Sequence, residues 1–195
     1  SGVCLSILNV DTDAGMLDIY MSNYPGCSYC EDPSYNINSL DWTDRKALCE
    51  MVGSSWIAYN PNMSEEDCSE IPSIDGNGGW WFNGEVGGFQ FELTNIDLTG
   101  ASGGSASGSG FLVYTIGINV VSETTVPCPD PPCTFDSQVL AFSFSGATVP
   151  IGSEELLTQV TFTSAVNTDI CFVEDTGSAG LSTISDNDAG YVGAI

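Results

Sequence analysis

Gly87-Gly88-Phe89-Gln90-Phe91-Glu92-Leu93-Thr94-Asn95-Ile96-Asp97-Leu98-Thr99-Gly100 is the stretch on which the fold turns. Phe89, Phe91 and Leu93 alternate with Gln90, Glu92 and Thr94, the period of a half-buried strand. The apolar series then slips by one residue to Ile96 and Leu98, and a bulge or tight turn near Thr94-Asn95 absorbs the slip. Bracketed by glycine, the stretch reads as a central strand, with the others beside or across from it.

Working outward, Val3–Val10 and Met16–Ser22 read as a hairpin closed by Asp11-Thr12-Asp13-Ala14-Gly15, with Leu17, Ile19 and Met21 on one face. Ala101–Gly110 reads as a flexible loop or a tightly packed turn of small residues. Phe111–Val121 sets Leu112, Tyr114, Ile116, Ile118 and Val120 on one face, and Ser122–Asp136 is a Pro-rich loop. Val139–Ser145 is expected to turn Leu140, Phe142 and Phe144 inward. Leu156–Thr163 is expected to do the same with Leu156, Val160 and Phe162. Asp169–Val173 reads as a further strand, and Gly180–Ile195 as one or two more. At least seven short strands with glycine-rich turns predict an all-β fold, an antiparallel β-sandwich over residues 1–195.

The texture differs between Cys27 and Phe82, a segment that is irregular, polar and rich in cysteine. All four tryptophans and both cations, Arg45 and Lys46, lie here. Thr43–Met51 reads as a short helix capped by Thr43. Ser64–Glu70 reads as another, with Ser64 as cap and Asp67 at the capping-box position. Thr43, Cys49, Gly53 and Trp56 are echoed by Ser64, Cys68, Gly79 and Trp80, a degenerate repeat. Residues 27–82 therefore read as an insertion in a single domain, with a small core of tryptophan and disulfide, since a piece this size buries little surface unaided.

Composition narrows the function. The chain of 195 residues has two Lys+Arg, 26 Asp+Glu and no His, a formal net charge of −24. Such a surface repels nucleic acid and anionic membranes and attracts cations such as calcium. Eight cysteines in a chain that opens at Ser1 point to an exported, extracellular protein with disulfides. No apolar run approaches the ~20 residues of a membrane span.

The second half resembles the cohesin-like modules of secreted bacterial proteins. Gly88-Phe89-Gln90-Phe91-Glu92-Leu93, Val139-Leu140-Ala141-Phe142-Ser143-Phe144 and Gly152-Ser153-Glu154-Glu155-Leu156-Leu157-Thr158-Gln159-Val160-Thr161-Phe162 carry the resemblance. It implies a nine-stranded jelly roll and a non-catalytic role in extracellular assembly or attachment. It also implies that Cys4 and Cys171 lie on neighbouring strands and form a disulfide. The insertion and the cysteines are foreign to that family, and no binding residue is carried over.

Other motifs weigh less. Gly100-Ala101-Ser102-Gly103-Gly104 matches a nucleophile elbow in form, but a serine triad needs a histidine. Cys27-Ser28-Tyr29-Cys30 lacks the βαβ setting of a redox motif, and a zinc site of Cys27, Cys30, Cys49 and Cys68 lacks the second C-x-x-C. These four are expected to form disulfides within the insertion, with a Cys27–Cys30 ring the least favoured pairing. Cys128 and Cys133 are expected to pair across Pro129, Pro131 and Pro132.

Three acidic turns could wrap calcium: Asp11 with Asp13, Asp75 with Asn77, and Asp186 with Asp188. None continues to an EF-hand glutamate, and Asp and Asn are also ordinary turn residues. Trp80 and Trp81 could stack on carbohydrate, although neighbours in an extended chain point opposite ways and core packing is the competing reading. Asn62-Met63-Ser64 is the single glycosylation sequon and marks an exposed loop. Without histidine, and with two adjacent cations, the chain is not expected to be an enzyme. Two readings follow. One is a structural subunit of an extracellular filament, in which copies join head to tail through a terminal strand or the insertion. The other is a binding module for carbohydrate or a partner domain.

Overall fold

The computed structural model describes residues 2–117, 137–165, 169–173, 182–186 and 190–192. In chain order the elements begin with strands β1 (Val3–Asp11), β2 (Met16–Asn23) and β3 (Gly26–Cys30). A 3-10 turn (Pro33–Tyr35) leads to α1 (Trp42–Met51), β4 (Trp56–Asn60) and α2 (Glu65–Ser69). Short strands β5 (Pro72–Ser73), β6 (Gly76–Asn77) and β7 (Trp80–Phe82) follow. Then come β8 (Gly88–Leu93), β9 (Ile96–Ser102), α3 (Gly104–Gly108), β10 (Leu112–Gly117), β11 (Ser137–Phe142), β12 (Gly152–Ala165), β13 (Thr183–Ser185) and β14 (Tyr191–Val192).

The chain is all-β, and its strand pairings are antiparallel. One sheet runs β1-β2-β12-β9, a second runs β10-β11-β8-β13-β14, and a small third runs β4-β3-β7. β8 is the middle strand of five, as the opening stretch predicts. Its parity slip is the passage from one sheet to the other. β8 ends at Leu93, Asn95 takes a left-handed φ of 64°, and β9 starts at Ile96 in the four-stranded sheet. Phe89, Phe91 and Leu93 enter one buried cluster from β8. Ile96 and Leu98 enter it from β9, with Leu17, Ile19, Met21, Val160 and Phe162. Both sheets thus feed one core.

The β1–β2 hairpin closes as its sequence predicts. Asp11 Oδ1 accepts from the Asp13 and Ala14 amides. Gly15 has a φ of 66°, and a Cβ there would collide with the Phe162 carbonyl oxygen, so the turn needs glycine twice over.

One strand, β11, faces the other way from its sequence reading, and it sets the facing of β10 beside it. Val139 is paired with Phe91 and Ala141 with Phe89, and directly opposed residues share a face. The large phenylalanines point inward, so the small residues beside them must too, and Val139 and Ala141 are 0% and 1% exposed. Leu140 and Phe142 consequently lie on the outer face. β10 is locked to β11 with Tyr114 opposite Leu140, so Leu112, Tyr114 and Ile116 are 42%, 49% and 43% exposed. Val113 instead packs on the core. In β12 a register shift between Leu156 and Thr158 puts Leu157 inside in place of Leu156, while Val160 and Phe162 are buried as expected.

Smaller differences have local causes. Residues 101–110 are neither loop nor simple turn: β9 continues to Ser102, and a one-turn helix, α3, buries Ala106. α1 starts at Trp42, because Asp41 rather than Thr43 is the cap and accepts from the Asp44 amide at 2.9 Å. α2 has the expected capping box between Ser64 and Asp67. Asp169–Val173 is not a strand; it touches β8 through one bridge, Phe172 to Leu93.

The insertion's repeat is real in three dimensions. β3 is its middle strand, with β4 on one side and β7 on the other. Cys30 bonds Cys49 of α1, whose chain leads into β4, and Cys27 bonds Cys68 of α2, whose chain leads into β7. Each half is therefore a helix and a strand stapled to β3. Gly79 lies so close to the second bridge that a Cβ would stand 2.5 Å from Cys27 Sγ. The insertion does not keep its core to itself. Trp42, Tyr59 and Phe82 belong to the main cluster, and only Cys27, Cys68 and Ile71 form a separate one.

The pairing of Cys4 with Cys171 is not formed. Both are exposed free thiols. Cys4 lies on β1 opposite Ser22, whereas the Cys171 carbonyl accepts from the Thr94 amide at the end of β8, in the other sheet. Cys128 and Cys133 lie outside the described residues.

Candidate functional site

The inverted facing of β11, with β10 locked to it, creates the most distinctive surface among the described residues, the outer face of the five-stranded sheet. Register arranges it in rows. Leu112, Phe142, Gly88 and Ser185 form one, and Tyr114, Leu140, Gln90 and Thr183 form the next. Tyr114 and Phe142 stack with ring centroids 5.8 Å apart, and Phe144 meets Phe142 edge to face at 5.0 Å. Phe144 is 85% exposed, so its ring is open to a ligand.

Toward β13 the face turns polar without becoming charged. Gly88 presents no side chain between Phe142 and Ser185, and a cavity of about 270 Å³ opens there, lined among others by Gln90, Thr183, Ser185 and Tyr191. Neither row contains a charged residue. The carboxylate nearest in phase, Glu92, is only 3% exposed. On a chain of net charge −24 this is a conspicuously neutral area. It offers aromatic rings on one side and amide and hydroxyl groups on the other, the equipment for an uncharged polyhydroxylated ligand.

The two cations are committed elsewhere. The Arg45 guanidinium lies 5.5 Å from the Trp80 ring centre, and Lys46 Nζ lies 5.5 Å from that of Trp42. Burial lowers the Arg45 pKa, and the nearby Asp75 charge opposes that shift. Trp80 and Trp81 point opposite ways. Trp80 packs on the main core and Trp81 on the Cys27–Cys68 cluster, so they do not form one sugar platform.

The acidic turns are occupied by the chain itself. Asp11 accepts two backbone amides, and Asp186 Oδ1 accepts from the Gly190 amide at 2.7 Å. Asp75 accepts from the Asn38 and Ser39 amides and from Ser73 Oγ, which hold its carboxyl well below the usual range. Asp188 lies outside the described residues. Among the described residues no three His, Cys, Asp or Glu side chains gather as metal ligands, Asp13 included. Asn62 sits in an exposed turn, and its sequon partner Ser64 caps α2. No helix among the described residues is long and apolar enough to cross a membrane.

Comparison with protein-family models, with curated proteins and with solved structures finds no match to this chain. The outer face is not legible in the sequence, because the larger apolar residues of 139–145 invite an inward reading. The signal that could have found it is volume: small residues belong beside Phe89 and Phe91.

Proposed function

We propose that this chain is a non-catalytic binding module of a secreted protein, built as a cohesin-like β-sandwich, and that the outer face of its five-stranded sheet takes an uncharged polysaccharide. The observation that carries this is the neutral face itself, with the exposed Phe144 beside Tyr114 and Phe142 and a polar cavity over Gly88. Two disulfides fit an oxidising, extracellular setting. Charged polymers of either sign gain nothing from rows that carry no charged side chain among the described residues, and nucleic acid is repelled by the acidic remainder of the chain. The filament reading draws less support. Val3–Asp11 is paired with β2, and the tail strands β13 and β14 with β8 and each other, so neither terminal strand is released from its own sheet to be donated whole to the next copy.

The test is depletion of the purified protein by insoluble neutral polysaccharides, cellulose, chitin and a β-1,3-glucan, in 0.15 M and 1 M NaCl. At least one should bind it, with little loss at the higher salt. Phe144→Ala should weaken binding about threefold to tenfold, the worth of an aromatic contact of ~0.5–1.5 kcal/mol. Retention by none of the three, or retention that Phe144→Ala and Gln90→Ala leave unchanged, sinks the proposal.

A further inference from the structure

We infer that two copies of this chain pair through β1, antiparallel and across a two-fold axis at Leu5. The inference is independent of the polysaccharide face, because β1 is the edge of the other sheet.

A sheet edge is a row of unused backbone donors and acceptors, and natural edges are blunted by brevity, lysine, proline, inward charge or bulges. Among the described strands of the two larger sheets, the other edges are blunted or occupied. β14 has two residues, β9 carries Asp97 and register shifts against β12, and β10 lies beside β9. β1 has nine residues, and Gly2–Val10 contains no charge and no proline, in a chain of net charge −24. From Val3 to Leu8 its register with β2 is continuous. The irregularity comes only beyond Leu8, where Asn9 takes a φ of 50°.

The phase of the ladder says which residues would pair. The Tyr24 amide donates to the Gly2 carbonyl, which makes Gly2 and Tyr24 a hydrogen-bonded pair. Alternation then directs the backbone groups of Cys4, Ser6 and Leu8 to β2 and those of Val3, Leu5 and Ile7 to the open edge. A two-fold at Leu5 uses all three of the latter. Val3 faces Ile7 of the second copy, Leu5 faces Leu5, and about six inter-copy hydrogen bonds form. The contact is isologous and closes on itself, so it gives a dimer and not a filament.

This register makes a sharp prediction for the exposed Cys4. Cys4 faces Ser6 of the second copy in a non-hydrogen-bonded pair, with Cα atoms about 4.5 Å apart, within disulfide reach. The two Cys4 residues lie on a diagonal about 7–8 Å apart, beyond it. The experiment exposes wild type, Ser6→Cys, and Ser6→Cys with Cys4→Ser to Cu(II)–phenanthroline. Two Cu(II) ions take one electron each from the thiol pair and two protons pass to the buffer as one Sγ–Sγ bond forms. Ser6→Cys should yield a covalent dimer, its linked peptides carrying Cys4 and the new thiol, at least tenfold above either of the others. Sedimentation of the wild type should show a dimer whose population rises from 0.02 to 0.5 M NaCl, as salt screens the like charges. A monomer at 1 mM in 0.5 M NaCl, or cross-linking unaffected by Cys4→Ser, overturns the inference.

Discussion

The guanidinium of Arg45 covers the ring of Trp80 at 5.5 Å and ties α1 to the loop before it. Nε donates to the Leu40 carbonyl at 2.9 Å, and the terminal nitrogens donate to the Asn38 carbonyl and side-chain oxygen. At 4% exposed, this is a buried cation satisfied mainly by neutral oxygens. Arg45→Ala strands those oxygens and uncovers the ring, so it should cost about 2–4 kcal/mol. Arg45→Lys should recover little, because an ammonium cannot reproduce the planar fork. Denaturant unfolding of the two variants checks this; full recovery by lysine would mean that charge alone matters.

The disulfides staple the insertion, but its aromatics belong to the common core. Removing either bridge should therefore lower the stability of the whole domain in a single transition. By loop length, replacing Cys30 and Cys49 with alanine, a separation of 19 residues, should cost about 3 kcal/mol. The Cys27–Cys68 pair, at 41 residues, should cost about 4 kcal/mol. Two resolved unfolding transitions in either variant would show that the insertion folds apart from the sheets.

Much of this architecture is legible in the residues, and what is not has a physical cause. Phe89, Phe91 and Leu93 announce β8, the slip to Ile96 announces the corner, and Ser64 with Asp67 announces α2. These signals are local. The facing of β10 and β11 is not local: it is imposed by which residue of β8 each one opposes, and Val139 or Ala141 alone cannot reveal it. The candidate site depends on that facing, so it stayed hidden while the core strands were plain. The free Cys4 and Cys171 likewise follow from which sheet each segment joins.

Acid should act through Asp75. Amides of Asn38 and Ser39 and the Ser73 hydroxyl favour its charged form, so its folded pKa lies well below the ~3.9 of an unfolded aspartate. Unfolding then takes up a proton at low pH. The stabilisation is whole above about pH 5 and is lost as pH falls through the unfolded and then the folded pKa. The stability gap between wild type and Asp75→Asn should be widest near neutrality and narrow steadily below about pH 4. Comparing the two proteins cancels the relief of acidic repulsion common to both. A gap that does not change between pH 7 and pH 3 would remove Asp75 from the acid response.

Asn95 turns the chain from one sheet to the other, and two properties suit it to the task. Its φ of 64° is one that asparagine tolerates better than most side chains. Its amide also donates to the Asp169 carbonyl at 2.7 Å, holding the segment that bridges to Leu93. Asn95→Gly keeps the conformation and loses the hydrogen bond, so it should cost about 1 kcal/mol. Asn95→Ala loses both and should cost about 2 kcal/mol, and Asn95→Val should cost more, because a β-branched residue resists a positive φ. Urea unfolding of the three variants should rank them in that order. Equal losses for glycine and valine would mean that the amide bond to Asp169, not the backbone conformation, holds the corner.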